Sequence, residues 1–418
     1  MKKFIILINL IFFASLSAQS IDYKTYIEYV KEKNLSYAAE RLNVGIAEAE
    51  LQAAKVFNDP QLSLEYADND DRRMLMGRSV SVELSKTFSV GKRGANIDLA
   101  RSEKELNEAL LEDYFRNLRA DATLAYIEAL KRAELYRIKE KSAQNIRALA
   151  ASDSIRFALG EINEADALQS AIEAESTENE LIQARSELLN ACAALAVFTG
   201  SFSAGTPQEP TGKLAAAVRD FDAATLLQTA LDNRADLAAA LKNTEVAERQ
   251  LKVARRERNT DFDLALGYNY NTEVRNEIAP APKFNGVTVG VSIPLKLSNF
   301  NRGTVSAAKL RQQQAETTYR QAEVEVQTEV MNSLRQYRAS VEQVKTYQNG
   351  LHRKAENVLN ARIYSYRRGE TSRSEVYIAQ QTFDNLQAAY IETIANNLSS
   401  LVELDRSVGI WEFRLDNE

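Results

Sequence analysis

Residues 262–270 read Phe262-Asp263-Leu264-Ala265-Leu266-Gly267-Tyr268-Asn269-Tyr270, with a large apolar side chain at every second position. Period two is what a strand with one apolar face requires, because successive side chains leave a strand on opposite sides. The other face, Asp263, Ala265, Gly267 and Asn269, is small or polar. The alternation recurs three times. Val287, Val289, Val291 and Ile293 repeat it after the variable stretch 273–285, and upstream Leu62, Leu64 and Tyr66, then Val80, Val82 and Leu84, flank the polar loop 67–77. Four strands in two hairpins, 61–88 and 261–295, follow from this pattern.

The hairpins sit inside a duplication. Ala38, Ala39, Asn43, Ala47, Glu48, Leu51, Ala54 and Leu64 recur 200 positions later as Ala238, Ala239, Asn243, Ala247, Glu248, Leu251, Ala254 and Leu264. Beyond the hairpins the offset is 209, matching Arg93-Gly94 with Arg302-Gly303, Gly160 with Gly369 and Gly200 with Gly409. The extra residues fall between Leu264 and Gly303, and an insertion that leaves its flanks intact belongs in an exposed loop. The two structural repeats run over 19–200 and 222–409, joined by a linker over 201–221 that carries Pro207 and Pro210, with a tail over 410–418.

Around each hairpin the pattern is helical. A first helix precedes each hairpin, over 35–57 and 235–259. A long helix follows, over 94–159 and 303–368, and a return helix closes each repeat, over 163–199 and 372–408. Leu118, Ala122, Ala125 and Ala129, and in the second copy Val326, Val330, Leu334, Tyr337, Val341 and Val344, recur in steps of three, four and seven, which is a coiled-coil seam. Composition agrees: 15 glycines and 6 prolines in 418 residues leave few turns, and 26% charged with 45% hydrophobic residues suits long helices with solvated faces. At 1.5 Å per residue the long helix reaches about 100 Å, and a return helix of about 60 Å stacked on a first helix of about 35 Å matches it. Each repeat therefore reads as a pole with a hairpin at one end, a helical turn at the other and the linker at mid-height.

The N-terminus, Met1-Lys2-Lys3 followed by the apolar run Phe4–Phe13 and the small-residue exit Ala14-Ser15-Leu16-Ser17-Ala18, reads as an export signal over residues 1–18. Past it no apolar run is long enough for a spanning helix. Four strands with one apolar face cannot close alone, since about eight is the practical minimum for a barrel. An open sheet is excluded from lipid because its edges leave backbone groups unpaired. A membrane role therefore requires an oligomer, and a trimer gives a 12-stranded barrel continued by 12 helical columns. The alternative is a soluble protein whose hairpins cap the helices.

The net charge of −6, with interspersed signs, makes nucleic acid a poor partner. Cys192, in an apolar seam, reads as a buried inert thiol, and His352 as part of a solvated helix face. Trp411 falls at mid-height by the same arithmetic, outside any membrane aromatic belt. Neither a catalytic set, a cofactor motif nor a cluster of metal ligands is expected.

The duplicated layout, with Asn58-Asp59-Pro60-Gln61-Leu62 leading into the first strand and Val90-Gly91-Lys92-Arg93-Gly94 and Asn301-Arg302-Gly303 at the handovers to the long helices, resembles the TolC-type outer-membrane efflux proteins, most closely the CzcC-type heavy-metal branch. The fold this implies is mainly α, a coiled-coil α-helical barrel with four membrane β-strands per protomer. The resemblance further implies a passive homotrimeric duct through outer membrane and periplasm, docking through a periplasmic adaptor on an inner-membrane RND-type pump, and no enzyme. The strand positions Leu62, Leu64, Tyr66, Val80, Val82, Leu84, Phe262, Leu264, Leu266, Tyr268, Val287, Val289, Val291 and Ile293 then face outer-membrane lipid. A multidrug or small-molecule exporter, or a periplasmic coiled-coil adaptor or spacer, are the other functions the pattern allows.

By the same resemblance the adaptor meets the two helical turns, at Leu159, Gly160 and Glu161 and at Arg367, Arg368, Gly369 and Glu370. The first turn is acidic, with Glu161, Glu164 and Asp166; the second is basic, with Arg367, Arg368 and Arg373. Glu375 and Asp166, each six residues past its turn glycine, match the acidic positions of the closed periplasmic gate, and Tyr366 matches a position tied to the closed state. Ile378 stands where the fuller family pattern has a second acid. The plainer reading of Glu375 is a local pair with Arg373 or Arg368.

Overall fold

The computed structural model describes residues 20–71, 74–201, 207–295, 301–348 and 350–415. The export signal, part of the linker and part of the second handover lie outside the described residues. Two compact units emerge, and each draws on both sequence repeats. One combines the stretch ending at Ala39, Tyr114–Arg234 and the stretch from Val326 onward; the other combines Glu40–Asp113 with Ala235–Glu325.

The first repeat contains α1 (Tyr23–Lys33), α2 (Leu35–Ala54), β1 (Gln61–Asp70), β2 (Leu75–Phe88), α3 (Lys92–Ala158) and α4 (Glu164–Thr199). The second contains α5 (Ala223–Asn233), α6 (Ala235–Arg256), β3 (Phe262–Asn271), β4 (Phe284–Ser292), α7 (Arg302–Gln348), α8 (Leu351–Arg367) and α9 (Arg373–Val408). Two differences from the sequence reading stand out. The short helices α1 and α5 extend the duplication upstream, each started by an aspartate: Asp22 accepts from the Thr25 N–H at 3.0 Å and Asp222 from the Thr225 N–H at 2.8 Å. These satisfy otherwise orphaned helical donors. The long helix expected over 303–368 is instead two helices, because Gly350 takes φ +81°, a left-handed angle that no continuous right-handed helix contains. Its counterpart α3 is unbroken over 67 residues.

In the first unit the core is the seam. Leu118, Ala122, Ala129, Val326, Val330, Leu334 and Tyr337 are buried with Leu398, Leu401 and Val402 of α9. Buried tyrosines tie down polar backbone at the linker: the Tyr126 hydroxyl shares its one proton between the carbonyls of Thr211 (2.7 Å) and Ile21 (2.9 Å), and the Tyr337 hydroxyl accepts from the Arg219 N–H at 2.8 Å. The glycines ending α4 and α9 are required by close approach. A Cβ on Gly200 would lie 2.4 Å from the Lys33 carbonyl oxygen, and one on Gly409 3.1 Å from that of Asn233. Asn34 donates to the Phe198 carbonyl at 3.0 Å, and Arg234 to the equivalent Ser407 carbonyl at 2.9 Å.

Among the described residues α4 alone is long and apolar enough to cross a membrane by length and composition, where the sequence reading found no such run. Its first turns carry Glu164, Asp166 and Glu173, and it buries Ser170, Glu173, Thr177, Leu188, Cys192 and Leu195 on one seam. That is the pattern of a helix packed on protein.

In the second unit the strands form one antiparallel sheet, ordered β1-β2-β3-β4, so the two hairpins are joined by β2–β3 pairing. Register aligns the faces across all four strands. The rows Leu62–Leu84–Leu266–Val289 and Leu64–Val82–Tyr268–Val287 lie on one face, and Ser63–Glu83–Gly267–Thr288 and Gln61–Ser85–Ala265–Gly290 on the other. The eight residues of the apolar rows are 36–72% exposed. Phe262 stacks on Phe88 at 5.3 Å, and Ile293 falls just past the end of β4, exposed.

Candidate functional site

The two helical turns share one backbone geometry. Gly160 (φ +77°) and Gly369 (φ +73°) end α3 and α8 in the left-handed region. The Glu161 N–H then returns to the Arg156 carbonyl and the Glu370 N–H to the Ser365 carbonyl, both at 2.9 Å. Three residues beyond each glycine a side chain caps the next helix: Asn163 accepts from the Asp166 N–H at 2.8 Å and Ser372 from the Glu375 N–H at 3.4 Å. These closures satisfy orphaned carbonyls and amides at both ends of the turn.

Asp166 and Glu375 are therefore equivalent third residues of α4 and α9, both exposed. The Asp166 carboxylate accepts from the Asn163 amide at 2.8 Å. Glu375 accepts from the Arg362 guanidinium and from the Thr371 hydroxyl, both at 2.5 Å. Its local cation is thus Arg362, one helical layer back on α8, and neither Arg373 nor Arg368. Arg368 pairs with Glu370 at 2.9 Å and donates to the Tyr364 hydroxyl at 3.1 Å, while Arg156 holds Glu161 at 3.2 Å. Leu159 is 70% exposed, and Gly160, Arg367 and Gly369 are exposed with it.

Arg373, read from sequence as part of a basic surface, turns inward and is buried. Its guanidinium meets Asp153 of α3 at 3.0 Å and pairs with Glu173 of α4. Asp153, fully buried, also accepts from the hydroxyls of Ser170 (2.9 Å) and Tyr366 (2.5 Å). Gln169 donates to Glu173 at 2.9 Å, and Arg156 stands 5.2 Å from the Tyr366 ring centroid. Burial, reinforced by the Asp153 carboxylate, pushes the Tyr366 phenol up to about 12, so it stays a donor at any physiological pH. One charge cluster thus links α3, α4, α8 and α9 behind the turns. Such a cluster behaves as a clasp: intact, its charges satisfy one another; with one member removed, its immediate partners stay buried with fewer contacts.

Of the proposed gate residues only Tyr366 belongs to this cluster; Glu375 and Asp166 lie outside it. Sequence reasoning missed Asp153, Ser170, Glu173 and the inward turn of Arg373. A signal was present in the seam register: buried Ile146 and Asp153 are seven apart, and Ser170, Glu173 and Thr177 follow steps of three and four. A charge in a seam position needs a partner.

His352 is half-buried, not solvated: its ring lies 5.2 Å from Phe383 and its Nε2 3.1 Å from the Gln387 amide nitrogen. It lies in the first turn of α8 and faces α9. Cys192 is buried, and burial pushes its thiol up to about 11. Trp411 packs against Arg119, whose guanidinium carbon is 4.1 Å from its ring centroid. Among the described residues no group of three or more His, Cys, Asp or Glu side chains is arranged to hold a metal ion.

The profile of the outer membrane efflux protein family matches residues 27–201 and 226–410, one match per repeat. This chain belongs to the outer membrane efflux protein family. It is 26% identical over 380 residues to the cobalt-zinc-cadmium resistance protein CzcC of Cupriavidus metallidurans, covering 90% of this chain and 86% of that one. Its fold is shared with CusC (TM-score 0.74, 19% identity, 93% of this chain and 92% of that chain) and with the Campylobacter jejuni CmeC outer membrane channel (TM-score 0.75, 15% identity, 92% and 85%). The protein is accordingly an outer-membrane efflux channel and not an enzyme, and a periplasmic spacer or adaptor is set aside.

Proposed function

We propose that this efflux protein is a homotrimer that exports heavy-metal cations as the outer-membrane duct of a tripartite system. The observation that carries the trimer is the sheet. Among the described residues its outer strands β1 and β4 are each paired on one side only, and one whole face is apolar and exposed. Strands of 9–14 residues suit a tilted span of outer-membrane thickness. Three copies, β4 of one against β1 of the next, give 12 strands and leave no edge. Exposed apolar residues on α4 (Leu168, Ile172, Ile182 and Val197) support burial of that helix against another copy.

The turns at Leu159–Glu161 and Arg367–Glu370 are the docking points for a periplasmic adaptor and, through it, an RND-type pump. Glu375 and Asp166 line the gate, and the Asp153–Arg373–Glu173–Tyr366 cluster holds it shut. The likeness to CzcC supports metal cations as cargo. Two measurements test the reading. Oligomeric mass in detergent should correspond to three chains, and a monomer soluble without detergent overturns the channel assembly. A deletion strain should lose tolerance to cobalt, zinc and cadmium and regain it on complementation; sensitivity to small-molecule antimicrobials alone moves the cargo to the multidrug class.

A further inference from the structure

Where β2 leaves the sheet for α3, a cavity of about 460 Å³ opens beside the end of α2. Its lining includes Phe57, Lys86, Phe88, Lys92 and Arg93 and, among the described residues, contains no acidic side chain. Lys92 is neutralised by Asp261 at 2.5 Å, and Asp263 is engaged by Thr87, also at 2.5 Å. Two cations remain. Lys86 shares its row with Leu264 and Val291, so it stands on the apolar face of the sheet, at the end where the helices join. Its ammonium lies 5.9 Å from the Phe57 ring centroid and 5.8 Å from that of Phe88. The Arg93 guanidinium carbon is 3.9 Å from the Phe57 centroid; one of its terminal nitrogens donates to the Lys55 carbonyl, while its buried Nε has no hydrogen-bond partner among the described residues. Phe57 is nonetheless 65% and Phe88 40% exposed.

A lysine ending an apolar face, next to exposed aromatic rings and a second cation, is the chemistry of a membrane–water boundary, where ammonium groups meet phosphates and rings rest among the first acyl carbons. We propose that this corner binds the headgroup of an anionic phospholipid in the periplasm-facing leaflet, Lys86 and Arg93 holding the phosphate and Phe57 and Phe88 the upper acyl chain. The inference rests on the reading of the sheet as the membrane-spanning part. It assigns one site per chain: in the second repeat Glu257 stands at the position of Phe57, and Leu295 at that of Lys86.

The test titrates the purified, detergent-solubilised full-length protein with phosphatidylglycerol or phosphatidylcholine and counts bound lipid by native mass spectrometry. Phosphatidylglycerol should bind more tightly. Lys86→Gln should lower its affinity about fivefold, the effect of losing one interfacial cation, and Lys86→Arg should retain it. Phe57→Ala should weaken both lipids. Arg258→Gln, which removes an exposed cation at the corresponding end of α6, should change neither. Equal binding of the two lipids, or an unchanged affinity in Lys86→Gln, overturns the site. Displacement of the lipid by inorganic phosphate alone identifies a free-anion pocket and overturns the lipid assignment. Recovery of wild-type protein from the soluble fraction without detergent is a separate failure: it removes the membrane-spanning sheet, and the site with it.

Discussion

The helical turns of the two repeats superpose in backbone logic and oppose each other in charge. Gly160 and Gly369, Asn163 and Ser372, Asp166 and Glu375 fill equivalent places 209 residues apart. Yet Asp153 has Arg362 as its counterpart, and Arg373 has Glu164. Had the duplication kept its side chains, carboxylate would face carboxylate and guanidinium would face guanidinium. The inversion of sign lets Asp153 of one repeat clasp Arg373 of the other, and leaves Arg362 to meet Glu375 at the surface. Backbone closure is thus what the duplication preserved, and charge is where the repeats diverged to recognise each other.

The comparison breaks most severely at Asp153. Replacing it by alanine strips Arg373, Ser170 and Tyr366 of their shared partner and leaves Arg373 with Glu173 as its acid; breaking a buried charge pair costs about 3–5 kcal/mol. Asp153→Ala should lower the unfolding midpoint and raise basal conductance in planar bilayers. Asp153→Asn, which keeps an oxygen for the Ser170 and Tyr366 hydroxyls but removes the charge facing Arg373, should shift both less, and a shift as large as that of alanine would show that the charge pair, not the hydroxyl contacts, holds the clasp.

A second asymmetry is the buried Asp405 of α9, whose counterpart in α4 is Ala196. Burial raises its carboxyl from 3.8 to about 6, against the opposing pull of the Glu412 and Phe413 N–H groups. The unfolded chain ionises first, so stability is greatest below pH 4 in this contribution and is lost as pH rises through about 6, by about 3 kcal/mol at most. Asp405→Asn keeps an oxygen for both amides and should flatten that slope in denaturation measured between pH 4 and 8.

The glycines grade the effect by proximity. Gly200→Ala, with backbone oxygen 2.4 Å from the new Cβ, should lose about 3 kcal/mol; Gly409→Ala, at 3.1 Å, about 2 kcal/mol. Gly160→Ala and Gly369→Ala, with nothing within 4 Å, should lose only the left-handed backbone penalty of about 1 kcal/mol. Equal losses at all four sites would mean that backbone angle alone selects glycine. Smallest in stability is Glu375→Gln, within about 0.5 kcal/mol because its ion pair is exposed. Its readout is selectivity: cation preference and block by divalent cations should both weaken, whereas Asp166→Asn should instead raise basal conductance. Unchanged selectivity would leave Glu375 as the surface partner of Arg362 alone.

The strands and the duplication were legible because both are periodic: alternation at Leu264, Leu266 and Tyr268 declares a face, and an offset shared by Gly160 and Gly200 declares a repeat. Features without period escaped. Asp22 with Thr25, matched by Asp222 with Thr225, signalled α1 and α5 only as isolated caps. Asn349-Gly350 inside an otherwise helical pattern was the visible mark of the α7–α8 break, yet a single glycine in a helix is often tolerated. Pairing of Asp153 with Arg373 spans 220 positions and follows from packing of four helices, which no local pattern encodes.

The unpaired strands β1 and β4 have a genetic consequence. In the proposed trimer every protomer both offers an edge to one neighbour and accepts an edge from the other, so no subunit is a bystander. A chain that assembles normally but carries a dead gate or docking turn enters rings with healthy copies. At equal expression only about one ring in eight is free of it. Lesions that spare the edges should therefore act dominantly over a wild-type gene, while lesions that destroy an edge exclude their own product from the ring and behave as recessive.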